Sequence, residues 1–316
     1  MIVIGENNLN SHGSVIATIG SFDGVHRGHQ FLFSQLRDKA RELRLTPAVV
    51  TFRNHPQITL NPESEPLPLL TTHDEKLSLL ERFGIELAIV LDFTPQLAQL
   101  SAAEFMDLLK EKFGVQALMM GFNHRFGHNA PAGLEPYRIA AQTLGMQIFR
   151  AEEFHSESVS SSRIRKLITD GQIAEANGLL GYEFTIQGTV TQGLHNGSRI
   201  GFPTANISPL PHGKILPPRG AYAVVATIDG VQYQGMAGLG SKPSVTQQGD
   251  ISLETNLFNY NGEELYGKQM AVRFIQRLRG EISFPSIPDL AVQLAKDKLQ
   301  ATKILNKYNL NENGNY

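Results

Sequence analysis

The rhythm of apolar and polar positions changes once along this chain, near residue 181. Before that point, short apolar runs alternate with segments whose apolar residues recur every three or four positions. Val15 to Ile19 is an unbroken run that stops at Gly20, the pattern of a strand buried on both faces. Leu32, Leu36, Ala40 and Leu43 then recur at helical spacing. Residues 48–52, 87–91, 117–120 and 146–149 repeat the strand pattern, and residues 163–168 read as helix. Thr72 with Glu75 and Ser101 with Glu104 have the spacing of capping boxes, so helices are predicted to start there and to end near Gly84 and Gly114. Strands alternating with helices predict an α/β unit, a Rossmann-like parallel sheet with flanking helices, with ligands beyond the carboxyl ends of its strands.

After residue 181 short alternating strands dominate, at 184–191, 222–228, 231–236, 253–258 and 269–276. Asp229-Gly230 is a tight-hairpin signal, and Asn261-Gly262 marks a further turn. This spacing predicts a closed or nearly closed antiparallel β-barrel, with a terminal helix over 288–308 packed on it. Two domains are expected, 1–182 and 183–316, and 316 residues suffice for two cores.

Composition narrows the function classes. A net charge of −2 gives no polyanion-binding or membrane-attracting surface. The absence of cysteine excludes a disulfide framework, a thiolate metal site and a cysteine nucleophile. No apolar stretch approaches membrane-span length. The expectation is a soluble, cytoplasmic protein without nucleic-acid or membrane partners. Nothing in the sequence bears on its oligomeric state.

Candidate chemistry concentrates in two places. In the second half, Gly188, Gly193, Gly197 and Gly201 make a backbone able to wrap closely around a ligand. Thr204 and Asn206 follow at a spacing of two, which points both side chains the same way on an extended chain. Such a collar with two aligned oxygens suits a nucleotide phosphate tail and its magnesium ion. No Walker-type lysine motif exists, which excludes a P-loop kinase. In the first half, His26 and His29 flank Gly28 where a strand hands over to a helix. At a helix N-terminus the two rings can face an anion together with free backbone N–H groups. The competing readings are two structural histidines, or a zinc site that lacks a third ligand at a suggestive spacing.

The wider strings carry a resemblance. Residues Gly20-Ser21-Phe22-Asp23-Gly24-Val25-His26-Arg27-Gly28-His29 resemble the H-x-G-H nucleotidyltransferase signature of bacterial FAD synthetases. Gly201-Phe202-Pro203-Thr204-Ala205-Asn206-Ile207 resembles the signature of riboflavin kinases. In this order they resemble the bifunctional riboflavin kinase/FMN adenylyltransferase family, over about residues 15–299.

In the first half, the resemblance implies catalytic roles for His26 and His29, and contacts to ATP phosphates from Ser21, Phe22, Asp23, Gly24 and Gly28. Residues 51–56 look like the family's T-F-x-x-H-P segment, which suggests that Asn54 holds a ribose or flavin edge. Residues 121–127 resemble G-x-D-F-R-F-G, with Asn123 in place of Asp in a flavin-binding role and His124 in place of an aromatic. Residues 160–165 resemble S-S-T-x-I-R, with Ser162 for Thr. Ser162, Arg163 and Arg165 then read as a triphosphate clamp, or more plainly as a helix start.

In the second half, the resemblance assigns Gly193, Gly197 and Gly201 to ATP phosphates, and Thr204 and Asn206 to Mg2+. Glu254 becomes the general base toward the riboflavin 5′-hydroxyl, and Arg279 and Phe284 line the flavin pocket. The chain departs from the pattern at Gly238, Lys242, Ser244 and Asn256, the last replacing a histidine. Two narrower readings therefore stand beside the two-step enzyme with ATP, riboflavin and FMN as substrates. One is an FMN adenylyltransferase with a weakened kinase half. The other is a flavin- or nucleotide-binding protein without turnover.

Overall fold

The computed structural model describes residues 1–5, 13–61, 63, 65, 67–128, 130–155, 158–191, 202–241, 251–261 and 264–308. They fall into two compact units, Met1–Ser161 and Ser162–Tyr316.

The first unit runs β1 (Ile2–Ile4), β2 (Val15–Ile19), α1 (Arg27–Leu43), β3 (Thr46–Phe52), α2 (Pro56–Leu60), α3 (His73–Arg82), β4 (Leu87–Leu91), α4 (Pro95–Gln99), α5 (Ala102–Phe113), β5 (Val115–Met120), α6 (Glu135–Thr143) and β6 (Gln147–Arg150). Its six strands are all parallel, in the order β1-β4-β3-β2-β5-β6. Val15, Ala17 and Ile19 of β2 pack with Phe105, Met106 and Leu109 of α5, while α1 lies against β2 and β3 through Leu32, Phe33, Leu36 and Ala40. Each buried Val, Leu, Ile, Phe or Met among these contributes about 1.5–3 kcal/mol. Both expected capping boxes form, at Thr72–Glu75 and Ser101–Glu104. From β2 the chain proceeds to β3 and β4 on one side, then returns to place β5 on the other. The crevice of this sheet therefore opens beyond the ends of β2 and β5.

The second unit contains α7 (Ser161–Thr169, which starts at the border), α8 (Ile173–Leu180), β7 (Thr185–Thr191), β8 (Ala205–Ile207), β9 (Gly220–Ile228), β10 (Val231–Ser241), β11 (Ile251–Leu257), β12 (Gln269–Gly280) and α9 (Ile287–Leu305). The strands close into a barrel, β10-β11-β8-β7-β12-β9. The Asp229-Gly230 hairpin forms with both residues at positive φ, 50° and 79°, and with Ile228 paired to Val231. Helix α9 covers one side of the barrel, burying Ala301 and Leu305 against Ala223, Val225 and Met236.

The compact border comes earlier than the change in sequence rhythm at residue 182, because α8 belongs with the barrel. Asn177 of α8 donates from Nδ2 to the Phe274 carbonyl (2.8 Å) and accepts from Phe184 N–H (2.8 Å). Strands β1 and β8 were not expected. Each has three residues, too few to show a period.

Candidate active sites

The first site is built on the turn between β2 and α1. His26 caps α1, its Nδ1 accepting from His29 N–H at 3.4 Å. A neutral His26 therefore carries its proton on Nε2 and can donate there. The two rings stack with centroids 3.6 Å apart and planes at 15°. Gly28 permits this, since a Cβ there would sit 3.3 Å from the His26 ring. Burial brings His26 down to about 4. It also pushes His29 well below the usual imidazole range, and repulsion from His26 and His124 adds to that shift. Both rings are thus neutral at pH 7, and Nδ1 of His29 is buried without a hydrogen-bond partner among the described residues. Two neutral N–H donors at the positive end of a helix suit a polyphosphate.

The turn itself is held under strain. Phe22 and Val25 have φ of 49° and 36°, a region that a β-branched residue rarely enters. Asp23, 3% exposed, holds it from inside. Its carboxylate accepts from the N–H groups of Leu70 (3.0 and 3.1 Å) and Thr71 (3.1 Å) and from the Thr71 hydroxyl (3.2 Å). Gly24 N–H donates to Thr71 Oγ1. Asp23 and Gly24 therefore face the protein and shape the turn, whereas Ser21 lines a cavity of about 440 Å3. That cavity lies beyond β2, β3 and β5, with Phe52, Phe93, Leu97, Phe126 and His124 among its walls. Its aromatic lining fits a flavin ring.

Asn54 shapes that wall and does not reach inward. Its Nδ2 donates to Thr59 Oγ1 (2.8 Å) and the Phe93 carbonyl (2.9 Å), and its Oδ1 accepts from Phe93 N–H (2.9 Å). Asn123 lines an adjoining hollow of about 300 Å3 with Phe122, Arg125 and Arg150, and His124 borders both spaces. Ser161 donates its hydroxyl to the Asp23 carbonyl (2.8 Å). Ser162 and Arg163 are exposed in the first turn of α7 and Arg165 is half-buried; all three are counted with the second unit.

The second site is a cavity of about 440 Å3 in the barrel unit. It gathers Thr204, Glu254, Arg279 and Phe284, from three separate segments of the chain. Ser252, Glu254 and Asn256 alternate along β11 and all face it. Glu254 is exposed and stands opposite Asn206 of β8 on one side and Gly238 of β10 on the other. Asn206 is 3% exposed, and its Oδ1 has no hydrogen-bond partner among the described residues. Asn206 is not itself in the cavity wall, but a buried amide oxygen without a partner, two residues along from Thr204, is the hard-oxygen chemistry that magnesium takes. Asn256 donates from Nδ2 to the Pro203 carbonyl at 2.7 Å, so the residue replacing histidine pins the segment that leads through Thr204 into β8 and Asn206. Gly193, Gly197, Gly201, Lys242 and Ser244 lie outside the described residues.

Arg279 reaches the cavity through two register shifts in β12, between Phe274 and Gln276 and between Arg277 and Arg279. Its Nε and Nη2 grip Asp297 of α9 at 2.8–3.1 Å, and its guanidinium lies 5.8 Å from the Phe284 ring centroid. Asp297, 2% exposed, escaped sequence reasoning; only its helical spacing of four from Gln293, which also donates to it, hinted at a cluster. Asp297→Ala strands the Arg279 charge, so the barrel is expected to lose about 3–5 kcal/mol in denaturant unfolding. A loss under 1 kcal/mol would show that the pair is not structural.

Comparisons with known proteins match a separate family model to each half of the chain. The family model for FAD synthetase matches residues 8–163, and that for riboflavin kinase matches residues 180–305. A bifunctional riboflavin kinase/FMN adenylyltransferase from Bacillus subtilis (strain 168) is 34% identical over 292 residues, covering 91% of this chain and 92% of that protein. One from Escherichia coli (strain K12) is 33% identical over 309 residues, covering 95% and 96%. The fold is similar to a crystal structure described as a macrolide-efflux protein from Streptococcus pneumoniae, with a TM-score of 0.85 and 30% identity over 96% of this chain and 99% of that one. Among the described residues no helix is long and apolar enough to cross a membrane. With both models matched in tandem and such relatives aligned along nearly its whole length, the chain belongs to the bifunctional riboflavin kinase/FMN adenylyltransferase family.

Proposed function

We propose that the two cavities act in sequence on one flavin. In the barrel, riboflavin lies against Phe284 and Arg279 with its 5′-hydroxyl toward Glu254. The carboxylate takes the hydroxyl proton as that oxygen attacks the γ-phosphorus of ATP, and FMN and ADP result. Thr204 and Asn206 would hold magnesium, which offsets phosphate charge when bound with ATP. In the sheet unit, a phosphate oxygen of FMN attacks the α-phosphorus of a second ATP. The bond to pyrophosphate breaks, and FAD forms. No protein nucleophile is needed. His26 and His29 donate N–H groups to the polyphosphate, and the amides of Phe22 and of the α1 N-terminus assist. Asn123 stands at the edge of the flavin. We keep the functional border after residue 182, and we place the enzyme in the cytoplasm, where ATP is made available.

The observation that carries this reading is the convergence of Glu254, Thr204, Arg279 and Phe284 on one cavity, separate from the stacked histidine pair. The test supplies riboflavin, ATP and magnesium and separates the products by chromatography. FMN followed by FAD is expected, and the absence of both would overturn the reading. FAD from supplied FMN with nothing from riboflavin would leave only the adenylyltransferase.

A further inference from the structure

We propose that Lys76 is a positioning residue for adenylyl transfer: its ammonium, lodged beneath residues 21–25, ties that turn to the end of β3 and places a positive charge behind the bound polyphosphate. The inference rests on the adenylyltransferase reading and deepens it.

Lys76 is 8% exposed and sits in the first turns of α3. Both facts disfavour a cation. Burial removes its hydration, and the N-terminal end of a helix is already positive. Its three hydrogen bonds go to uncharged acceptors: the Ser21 carbonyl (3.3 Å), Thr51 Oγ1 (3.1 Å) and the Phe52 carbonyl (2.7 Å). An apolar side chain of the same length would fill the space without that penalty. The nearby buried Asp23 carboxylate, already bonded to Leu70 and Thr71, offsets only part of that cost, so an anionic ligand beyond the turn gives the charge a further partner.

The geometry says how it acts. Ser21, just after β2, lines the aromatic cavity, as does Phe52 at the end of β3. Lys76 bridges the two. The Ser21 carbonyl is drawn inward by Lys76 and by the Thr51 hydroxyl (3.2 Å). In a planar trans peptide the next N–H points the opposite way. The Phe22 N–H is thereby turned away from Lys76, and it has no hydrogen-bond partner among the described residues. A fixed, unspent amide with a cation behind it is a phosphate donor prepared in advance.

Burial lowers the Lys76 pKa from 10.5 to about 8, with Asp23 opposing the shift. Among the groups that face it, Asp23 comes from the turn and His73 from its own helix, while β3 presents only neutral atoms. The ammonium is charged below pH 8 and is lost as pH rises through that value, so its contribution disappears on the alkaline side.

The test follows FAD formation from FMN, ATP and magnesium between pH 6.5 and 9.5 for the full-length protein, Lys76→Met and Lys76→Arg. At pH 7 the methionine variant is expected to lose tenfold or more in kcat, with riboflavin phosphorylation in the same preparation unchanged. The wild-type kcat/KM for ATP is expected to fall past pH 8, and that of the arginine variant, which stays charged, to hold level from pH 7 to 9. A methionine variant within threefold of wild type overturns the proposal, as does an arginine profile that superimposes on the wild-type one. If the methionine variant does not fold, the arginine profile decides alone. Wild-type protein that makes no FAD at any pH would instead defeat the adenylyltransferase reading.

Discussion

Glu254→Gln is expected to slow FMN formation by about 100-fold or more while FAD synthesis from supplied FMN stays within twofold. Glutamine keeps the shape and the polarity of the side chain and removes only its basicity. The position makes the carboxylate the natural proton acceptor of the barrel cavity: it is exposed to it, flanked by the partnerless Asn206 oxygen, and faced across the strand pair by a glycine whose missing side chain leaves space. Two other carboxylates line the cavity, but Asp297 is gripped by Arg279 and Glu281 lies 3.9 Å from the Arg219 guanidinium. Initial rates at saturating riboflavin and ATP, read by chromatography, measure the effect. A kinase rate reduced less than threefold would remove Glu254 as general base. An equal fall in both activities of a folded variant would contradict separate sites.

His29→Ala is expected to reduce FAD formation from FMN by about 100-fold, the cost typical of deleting one prealigned donor from a site that stabilises developing charge. The substitution also removes the ring that His26 stacks on, so the surviving donor loses its orientation. The helix itself should persist, because the cap is made by His26 Nδ1 with the backbone N–H of residue 29, which alanine retains. Riboflavin phosphorylation provides the internal control. An unchanged FAD rate would take His29 out of the machinery and leave the stacked pair as a structural feature of the turn.

Much of this was legible in the amino-acid order. The strands at 15–19 and 87–91 and both capping boxes lie where their patterns placed them, because each is specified by contiguous residues. The same holds for Thr204, Glu254, Arg279 and Phe284, whose motifs mark one cavity. What could not be read is the direction a polar side chain takes once distant segments arrive. Asp23 and Asn54 sit in motif positions, yet their hydrogen bonds tie them to residues 70, 71, 59 and 93 of the protein itself. Lys76 and Asp297 sit in ordinary helical sequence and acquire their roles only through Ser21 and Arg279, partners that no local spacing reveals. Asn256, which looked like drift away from histidine, proves to hold Pro203.

The left-handed conformations of Phe22 and Val25 bear on how such a chain can change over evolutionary time. Each carries about 1–3 kcal/mol that a glycine would release. A lineage under selection for heat resistance therefore has an obvious substitution open to it here, and a reason to decline it. Relaxing the bend would let the amides around it wander, and the catalyst would gain melting temperature by surrendering the rigidity with which it meets its nucleotide.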